Sequence, residues 1–280
     1  MTHRKRLGIP HHLYARPVQL ALEADGRFDI RVADPAHTAI ALRSHDLDAA
    51  LLTPIDFARD ASAYRIIPDA AIRCSSGPAA ITLHFDEEFH DIRSFAADPS
   101  SSAEIVLTRV VLAEVFDMET SIVPAAGSID QLMTKADAAL LYGDAALAST
   151  AMHTNAIDLV EEWYELTALP FVHALWCVRE DALTRDEWET IRRAHQACDD
   201  FRGRVSHEAA PLPLFRAVGE PTIRAYLDMF TYDLDADGID SVREFLSYAY
   251  FHGILPDIPD LQFLGAASAA APEPDDVALN

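Results

Sequence analysis

The stretch between residues 138 and 178 constrains the fold more than any other part of the sequence. It begins with a short apolar run at 138–141, shows helical spacing over 159–167, and ends with an apolar run at 171–178. Short apolar runs bounded by Gly, Asp or Pro are typical of buried strands. We therefore predict a strand, a loop, a helix and a second strand, an order found in open α/β sheets.

The loop of this stretch contains Gly143-Asp144, close behind the first predicted strand. In open α/β sheets, ligands bind beyond the carboxyl ends of the strands. Gly143 and Asp144 are therefore candidates for the rim of a ligand pocket.

Two α/β patterns follow each other along the chain. Predicted strands and helices alternate over residues 6–52, and the same alternation occurs again over residues 94–141. Parallel strands need crossover helices, so we predict a two-lobe α/β fold in which two strands, 79–85 and 171–178, cross between the lobes. The predicted segments are 1–85 for the first part of lobe 1, 86–172 for lobe 2, 173–264 for a mostly helical return to lobe 1, and 265–280 for a disordered tail.

The charge balance argues against two classes of partner. The 280 residues include 45 acidic and 22 basic side chains, which gives a formal net charge of −23. Nucleic acids and anionic membrane surfaces attract a basic face, so we expect neither as a partner. The acid excess is explained either by a solvated surface, including one suited to high salt, or by binding of cationic ligands.

Cysteine content and hydropathy predict a reduced, cytoplasmic protein. Cys74, Cys177 and Cys198 are too few and too widely spaced for a disulfide framework. No apolar run reaches the length of a membrane span, and no apolar signal region follows the basic residues near the N-terminus.

Residues 233–244 match the spacing of a calcium-binding loop. Asp233, Asp235 and Asp237 are followed by Gly238 and, at the twelfth position, by Glu244. Against calcium, an acid stands at the eighth position, where an apolar residue is usual. The favoured alternative is a polar connection between two helices, with an aspartate capping the second helix.

Three histidines, His11, His12 and His173, are candidates for metal ligands or catalytic groups. His11 and His12 are adjacent, and no second cluster has the spacing of metal ligands, so loop histidines without a metal are favoured. His173 lies inside an apolar run, where a hydrogen-bonded buried histidine is favoured over one that faces the cleft. We therefore expect no metal ion.

A serine run, Ser100-Ser101-Ser102, precedes a helix predicted at 103–116. Hydroxyls and free N–H groups at a helix N-terminus suit an anion. The alternative is a serine-rich cap without a ligand. The chain has no P-loop, dinucleotide fingerprint or nucleophile elbow, so no cofactor is expected.

Several stretches together resemble one family, the chorismate dehydratases of the futalosine route to menaquinone. The matching segments, which reach to about residue 255 in the family's order, are 46–51, 67–69, 76–78, 141–147, 159–172 and 253–255. The resemblance implies a fold like the type 2 periplasmic binding proteins, with the ligand between two lobes. It also implies a cofactor-free lyase that removes water from chorismate to give 3-[(1-carboxyvinyl)oxy]benzoate. The substrate's own enolpyruvyl carboxylate would then accept the proton, while the protein orients and desolvates the substrate.

The chain departs from the family pattern at three places. Tyr14 stands where the family has an Asn after an aromatic-Leu pair, and Ala80 stands where it has a Ser after its Gly-Pro. The serine run continues with Ala103-Glu104 instead of Arg-Thr. Because the missing Asn and Ser serve catalysis in the family, these two roles are not transferred to this chain.

Nine positions are candidates for ligand contact. The resemblance carries over Gly77, Ser101, Gly143 and Asp144 as pocket-lining positions, and Tyr14 is a candidate hydroxyl donor or acid in place of the missing Asn. The complete set is Tyr14, Arg16, Ser76, Gly77, Ser100, Ser101, Ser102, Gly143 and Asp144.

The expected ligand is a small anionic organic acid. Chorismate is a dianion, which Glu104 near the serine run would repel, so Arg16, Arg73 and the serines are the expected compensation. Two alternatives remain open: a related lyase with a different small carboxylate as substrate, and a non-catalytic module that binds such an acid by lobe closure.

Overall fold

The computed structural model describes residues 4–75, 79–86, 89–151 and 155–265 of the chain. One five-stranded sheet has the order β2-β1-β3-β10-β4. Its strands are β1 (Arg6–Pro10), β2 (Asp29–Ala33), β3 (Ala49–Leu52), β4 (Tyr64–Cys74) and β10 (Phe171–Arg179). Strand β1 runs parallel to β2 and β3, whereas β10 is antiparallel to β3 and β4.

A second five-stranded sheet has the order β7-β6-β8-β5-β9. Its strands are β5 (Ile81–Phe85), β6 (Ser94–Ala97), β7 (Ser121–Pro124), β8 (Ala138–Tyr142) and β9 (Ala156–Asp158). Strand β6 is parallel to β7 and β8, and β5 is antiparallel to β8 and β9. The two sheets, with the helices that pack on them, are called lobe 1 and lobe 2 below.

The helices cover both sheets. They are α1 (Arg16–Asp25), α2 (Pro35–Arg43), α3 (Pro54–Ala58), α4 (Ser102–Glu114), α5 (Ile129–Met133), α6 (Gly143–Ser149), α7 (Leu159–Thr167), α8 (Arg185–Gln196), α9 (Arg202–Ala209), α10 (Glu220–Asp228) and α11 (Ala236–Phe251). Side-chain caps explain several starts, because Asp34, Thr53 and Asp158 accept hydrogen bonds from backbone N–H groups of the first turn.

The predicted fold class is confirmed. The chain passes from the first sheet to the second between β4 and β5, and it returns through α7 and β10. The predicted segment boundaries remain a prediction, and β5, placed in the first segment, pairs with β8 and β9 of the second sheet. Of the predicted disordered tail, all but Gly265 lies outside the described residues.

A buried aromatic cluster joins the returning chain to the core. Trp163 of α7 is fully buried and meets Phe171 of β10 and Phe245 of α11 edge to face, with ring centroids 6.2 and 5.7 Å apart. Edge-to-face pairs add to the free energy of apolar burial. Within residues 4–75, 79–86, 89–151 and 155–265, no helix is long and apolar enough to cross a membrane.

The calcium hypothesis for residues 233–244 is not supported. Helix α11 starts at Ala236, so Glu244 lies on a helix rather than in a loop. The side chain of Asp235 caps this helix by accepting from Gly238 N at 2.9 Å, and both Asp233 and Asp235 pair with Arg73. Among the described residues, no group of three or more His, Cys, Asp or Glu side chains is arranged to hold a metal ion.

Candidate functional site

The two lobes meet between the loop after β1 and the end of β8. The groups that converge there define what we call the interlobe site: His12 and Tyr14 from lobe 1, and Tyr142 and Asp144 from lobe 2. The backbone N–H of Leu13 donates to Asp144 Oδ1 at 2.7 Å across the junction. This bond fixes the first loop of lobe 1 against α6.

Gly143 allows the two lobes to approach closely. Its φ is +55°, in the left-handed region that favours glycine, and its N–H donates to Ala80 O at 2.8 Å. A Cβ atom here would overlap the ring of His12, coming within 2.9 Å of Cε1. Gly143 and Asp144 directly follow β8, and their role as ligand contacts remains a prediction.

A cavity of about 310 Å³ lies at this junction. That volume is at the lower end of the range for small-molecule sites. Leucines and alanines supply the apolar part of the wall, including the exposed Leu214. The polar lining residues are His11, His12, Asp98, Tyr142 and Asp144, and no lysine or arginine is among the described residues that line it.

His12 is buried without a hydrogen-bond partner. Its side chain is 4% exposed, and within the described chain neither ring nitrogen is hydrogen-bonded. The ring lies 5.2 Å from Tyr14 and 5.1 Å from Tyr142. Burial lowers the pKa of His12 to about 3, so the imidazole is neutral near pH 7. Each unpaired buried nitrogen costs about 1–3 kcal/mol, which favours a ligand that offers a donor or an acceptor.

Glu104 occupies the first turn of α4 and is 5% exposed. Burial, with a contribution from the charge of Asp56, raises the pKa of Glu104 to about 7, while its own backbone N–H opposes the shift. Burial, and after it the charge of Glu104, raises the pKa of Tyr14 and of Tyr142. Near pH 7 this group exchanges between acid and carboxylate.

Asp56 makes a second connection between the lobes. It lies on α3 of lobe 1, where its carboxylate accepts from Thr53 Oγ1 and pairs with Arg59, both at 2.9 Å. Ser102 at the start of α4 in lobe 2 donates to Asp56 Oδ1 at 3.2 Å. Asp56 therefore joins Arg59 of lobe 1 to the start of α4 in lobe 2.

The serine run does not form the predicted anion cradle. Ser100 and Ser101 donate their hydroxyls to Asp98, one to its carboxylate and one to its carbonyl, and Ser102 donates to Asp56. The three hydroxyls therefore do not converge, because an acid within the turn and one from the other lobe already accept from them. Ser101 precedes α4 without a side-chain cap bond.

Arg16 and Arg73, the cations predicted to compensate an anionic ligand, form ion pairs with carboxylates of the protein. Arg16 lies 3.8 Å from Glu23 and 4.0 Å from Glu208. Arg73 pairs with aspartates at 2.7 Å in the loop before α11. The predicted contacts Ser76 and Gly77 lie outside the described residues.

Tyr14 and His173 are placed behind the cavity wall. Tyr14 is 4% exposed and lies 5.2 Å from Phe230 and 5.3 Å from His173. His173 Nε2 lies 3.1 Å from Cys74 Sγ. Burial lowers the pKa of His173 to about 3 and raises the pKa of the Cys74 thiol, so a neutral thiol and a neutral imidazole share this hydrogen bond. This matches a hydrogen-bonded buried histidine, the favoured interpretation.

Sequence reasoning missed the roles of His12, Asp56 and Tyr142. The spacing of Thr53 and Asp56 at a predicted loop was a visible cap signal. Nothing local indicated that Asp56 meets Ser102, or that His12 packs on Gly143, because both contacts join distant parts of the chain.

Comparison with known proteins links the chain to one family and one fold. A sequence model described as "Menaquinone biosynthesis" matches residues 5–251. Among solved structures, a protein from Archaeoglobus fulgidus is similar with a TM-score of 0.67 and 16% identity, covering 91% of this chain and 99% of that one. The periplasmic aliphatic sulphonate binding protein of Escherichia coli is similar with a TM-score of 0.65 and 13% identity, covering 93% and 96%.

A third similar structure is a Candida albicans protein described as having the generic periplasmic binding protein fold. Its TM-score is 0.64 at 10% identity, and the match covers 92% of this chain and 93% of that one. At these identities the solved structures support the two-lobe fold alone.

Proposed function

Since the chain belongs to the menaquinone biosynthesis family, we propose that it is a lyase of that pathway that removes water from chorismate. The supporting observation is the family match over residues 5–251 in a chain whose two lobes enclose a cavity at the Gly143-Asp144 junction. The product would be 3-[(1-carboxyvinyl)oxy]benzoate.

The reaction balances without a cofactor. The C–H bond at the ring carbon bearing the enol ether breaks, and its electron pair forms a ring double bond. The C–O bond of the neighbouring carbon breaks, hydroxide leaves, and the proton and hydroxide together make water. Because the ring becomes aromatic, the protein's main task is to hold the reacting conformer and exclude solvent.

The residues of the interlobe site suit this orienting task. His12 is neutral and Tyr142 has its pKa raised to about 12, so both offer hydrogen bonds without charge. The bond from Leu13 to Asp144 holds the lobes together around the cavity. The substrate's enolpyruvyl carboxylate would accept the proton, and the resulting acid would return it as hydroxide departs.

A related lyase acting on a less charged acid is the second candidate. Asp98 and Asp144 line the cavity, and no lysine or arginine is among the described residues that line it. Buried carboxylates of a dianion need cations or several donors. The similar Escherichia coli protein is an aliphatic sulphonate binding protein, which supports a small acid as the ligand between the lobes under either candidate.

Direct assay separates the two candidates. The purified chain is incubated with chorismate, and the mixture is analysed by chromatography and mass spectrometry for the enol-ether benzoate. Gly143→Ala serves as a matched variant, because its added Cβ displaces His12 and should reduce turnover at least tenfold. Product from the unchanged chain supports chorismate dehydration. Absence of product at high protein concentration, with binding of monocarboxylic ring acids retained, favours the second candidate.

A further inference from the structure

We propose that Leu214 covers one face of a ring bound in the cavity at the interlobe site, and that it thereby selects cyclic acids over acyclic acids of the same charge. The inference deepens the proposed function and rests on it, because it takes this cavity as the place where the substrate binds. It adds a residue that recognises the ring itself, whereas the polar lining residues recognise the substituents of the ring.

Lobe 2 supplies a firm apolar wall of the cavity. Ala125 follows β7, Leu132 lies on α5 and Leu141 lies on β8, and all three line the cavity. All three are buried members of one small hydrophobic cluster of lobe 2. Because buried side chains are closely packed, this wall keeps its shape when a ligand arrives. One face of a ring can therefore lie against it.

The lobe 1 side of the cavity offers much less hydrocarbon. The described lining residues on that side are His11 and His12, in the loop after β1, and Leu214, in the segment between α9 and α10. Helix α9 packs against α1, which packs against the sheet of lobe 1. Among the described lining residues, Leu214 is therefore the one apolar side chain from this side. A ring that lies on the wall of lobe 2 depends on Leu214 to cover its other face.

Leu214 has apolar surface left to bury, and a neighbour provides a comparison. Leu214 is 51% exposed, and Leu212 in the same segment is 49% exposed. A single exposed leucine is ordinary on a protein surface and indicates nothing by itself. The two leucines differ in position, because Leu214 lines the cavity and Leu212 is not among its lining residues.

The backbone around Leu214 is held in place without a ligand. Pro211 and Pro213 flank Leu212, and a proline ring fixes the backbone angle φ. Phe215 is 2% exposed in the core, and its N–H donates to Leu212 O at 3.0 Å. A segment that is already ordered loses little conformational entropy when a ligand binds, so more of the contact contributes to affinity.

The cavity suits one ring with acid substituents. An apolar cavity of about 150 Å³ holds a benzene molecule, so a cavity of about 310 Å³ leaves room for the substituents. Apolar contact on both sides favours a flat ring whose faces carry no substituent. An acyclic acid covers less of Leu214 and loses more internal rotation when it binds.

The test is calorimetric titration at about pH 7.5, where the carboxyl groups of all the probes are ionised. Benzene-1,3-dicarboxylate is compared with pentanedioate, an acyclic dianion with the same carbon spacing between its carboxylates. Benzoate is compared with heptanoate, an acyclic monoanion with the same number of carbon atoms. The two pairs separate recognition of the ring from recognition of charge.

Three variants accompany the unchanged chain. Leu214→Ser removes the hydrocarbon, Leu214→Met restores an apolar side chain of similar volume, and Leu212→Ser makes the same change outside the cavity. Both positions are exposed, so we expect each variant to fold, and circular dichroism checks this.

The unchanged chain should bind the ring acid of at least one pair at least tenfold more tightly than its acyclic partner. Leu214→Ser should weaken binding of that ring acid roughly fivefold to tenfold, the effect expected from burying half of a leucine side chain, and binding of the acyclic acid by less than about twofold. Leu214→Met and Leu212→Ser should bind like the unchanged chain. The heat-capacity change of binding should be less negative in Leu214→Ser, because less apolar surface is buried.

Three results overturn this role of Leu214. One is an unchanged chain without preference for a ring acid in either pair, whether it binds both members or neither. Another is an equal loss of ring-acid affinity in Leu214→Ser and Leu212→Ser. The third is an equal loss for the ring acid and its acyclic partner in Leu214→Ser, which would mean that the substitution disturbs the cavity as a whole.

Kinetics with chorismate separate this role from the proposed function. Leu214→Ser should raise KM and leave kcat unchanged, because an apolar contact with the ring is equally strong in the ground state and the transition state. A chain that shows the Leu214-dependent preference for ring acids but forms no product keeps the role of Leu214 and loses the assigned reaction. A chain that forms product with the same KM in Leu214→Ser as in the unchanged chain keeps the reaction and loses the role of Leu214.

Discussion

The backbone N–H of Leu13 donates to Asp144 Oδ1 at 2.7 Å, so the first loop of one lobe is fastened to the first turn of α6 in the other. Asp144 is half-buried, and burial raises its pKa to about 6 although the Leu13 bond opposes the shift. A carboxylate kept in such a place costs desolvation free energy, which the interlobe bond partly offsets. The junction therefore depends on an acceptor at this position more than on a charge.

Replacing Asp144 by Ala should destabilise the chain by about 1–3 kcal/mol, because the Leu13 N–H loses its acceptor in a buried place. Asp144→Asn keeps a carbonyl oxygen at the same position and removes a desolvated charge, so its free energy of unfolding should stay within about 0.5 kcal/mol of the unchanged chain. Urea unfolding at pH 7.5 measures both values. Equal losses in the two variants would show that charge, rather than the acceptor, holds the junction.

Gly143→Ala should cost more than backbone strain alone. Gly143 and Gly253 both have positive φ, +55° and +68°, so alanine at either position costs about 1–2 kcal/mol. A Cβ at Gly253 meets nothing within 4 Å, whereas at Gly143 it overlaps His12. We expect a further loss of about 1–3 kcal/mol at Gly143 from this overpacking.

Thermal unfolding of the two glycine variants, followed by circular dichroism, compares these losses directly. Gly253→Ala is the control for strain without a clash. If both variants lose the same stability, His12 moves aside freely, and the close packing of the junction contributes nothing.

Much of the fold could be predicted because its signals are local. Apolar runs such as Ala138–Tyr142 and capping residues such as Asp34 and Thr184 lie beside the elements they define. The calcium pattern failed for a related reason. Asp235 caps α11, and the helix already starts at Ala236, inside the stretch that the calcium pattern requires as a loop.

The site was less predictable because its contacts are distant in sequence. The predicted rim, Gly143-Asp144, followed from the rule for strand ends. The hydrogen bonds of the serine run could not be predicted, because Asp98 and Asp56 accept its hydroxyls and the second of these bonds spans 46 residues. His12 is buried because it contacts Gly143 and Tyr142 of the other lobe. The hydrophobic periodicity of the sequence does not indicate such a contact between distant segments.

Calcium should leave stability unchanged. A sensor-type loop in about 1 mM calcium would be near saturation and would stabilise the chain by about 2.7 kcal/mol or more. Since Asp235 instead caps α11, Asp235→Ala should cost about 1 kcal/mol with or without calcium, whereas Asp235→Asn retains the cap. Melting curves with calcium or a chelator measure this. A calcium-dependent rise that disappears in Glu244→Gln would restore the calcium site.

Glu104→Gln should stabilise the unliganded chain in alkaline buffer. Burial raises the pKa of Glu104 to about 7 in the folded state, against 4.5 for an ordinary glutamate, so the folded state binds more protons between these values and loses stability as pH rises through this window. At 1.36 kcal/mol per unit, the variant should gain up to about 3 kcal/mol at pH 8.5 and less than about 1 kcal/mol at pH 5. Urea unfolding at the two pH values gives the difference, with Glu119→Gln as the exposed control. A gain that is equal at both pH values would mean that Glu104 is not a buried acid.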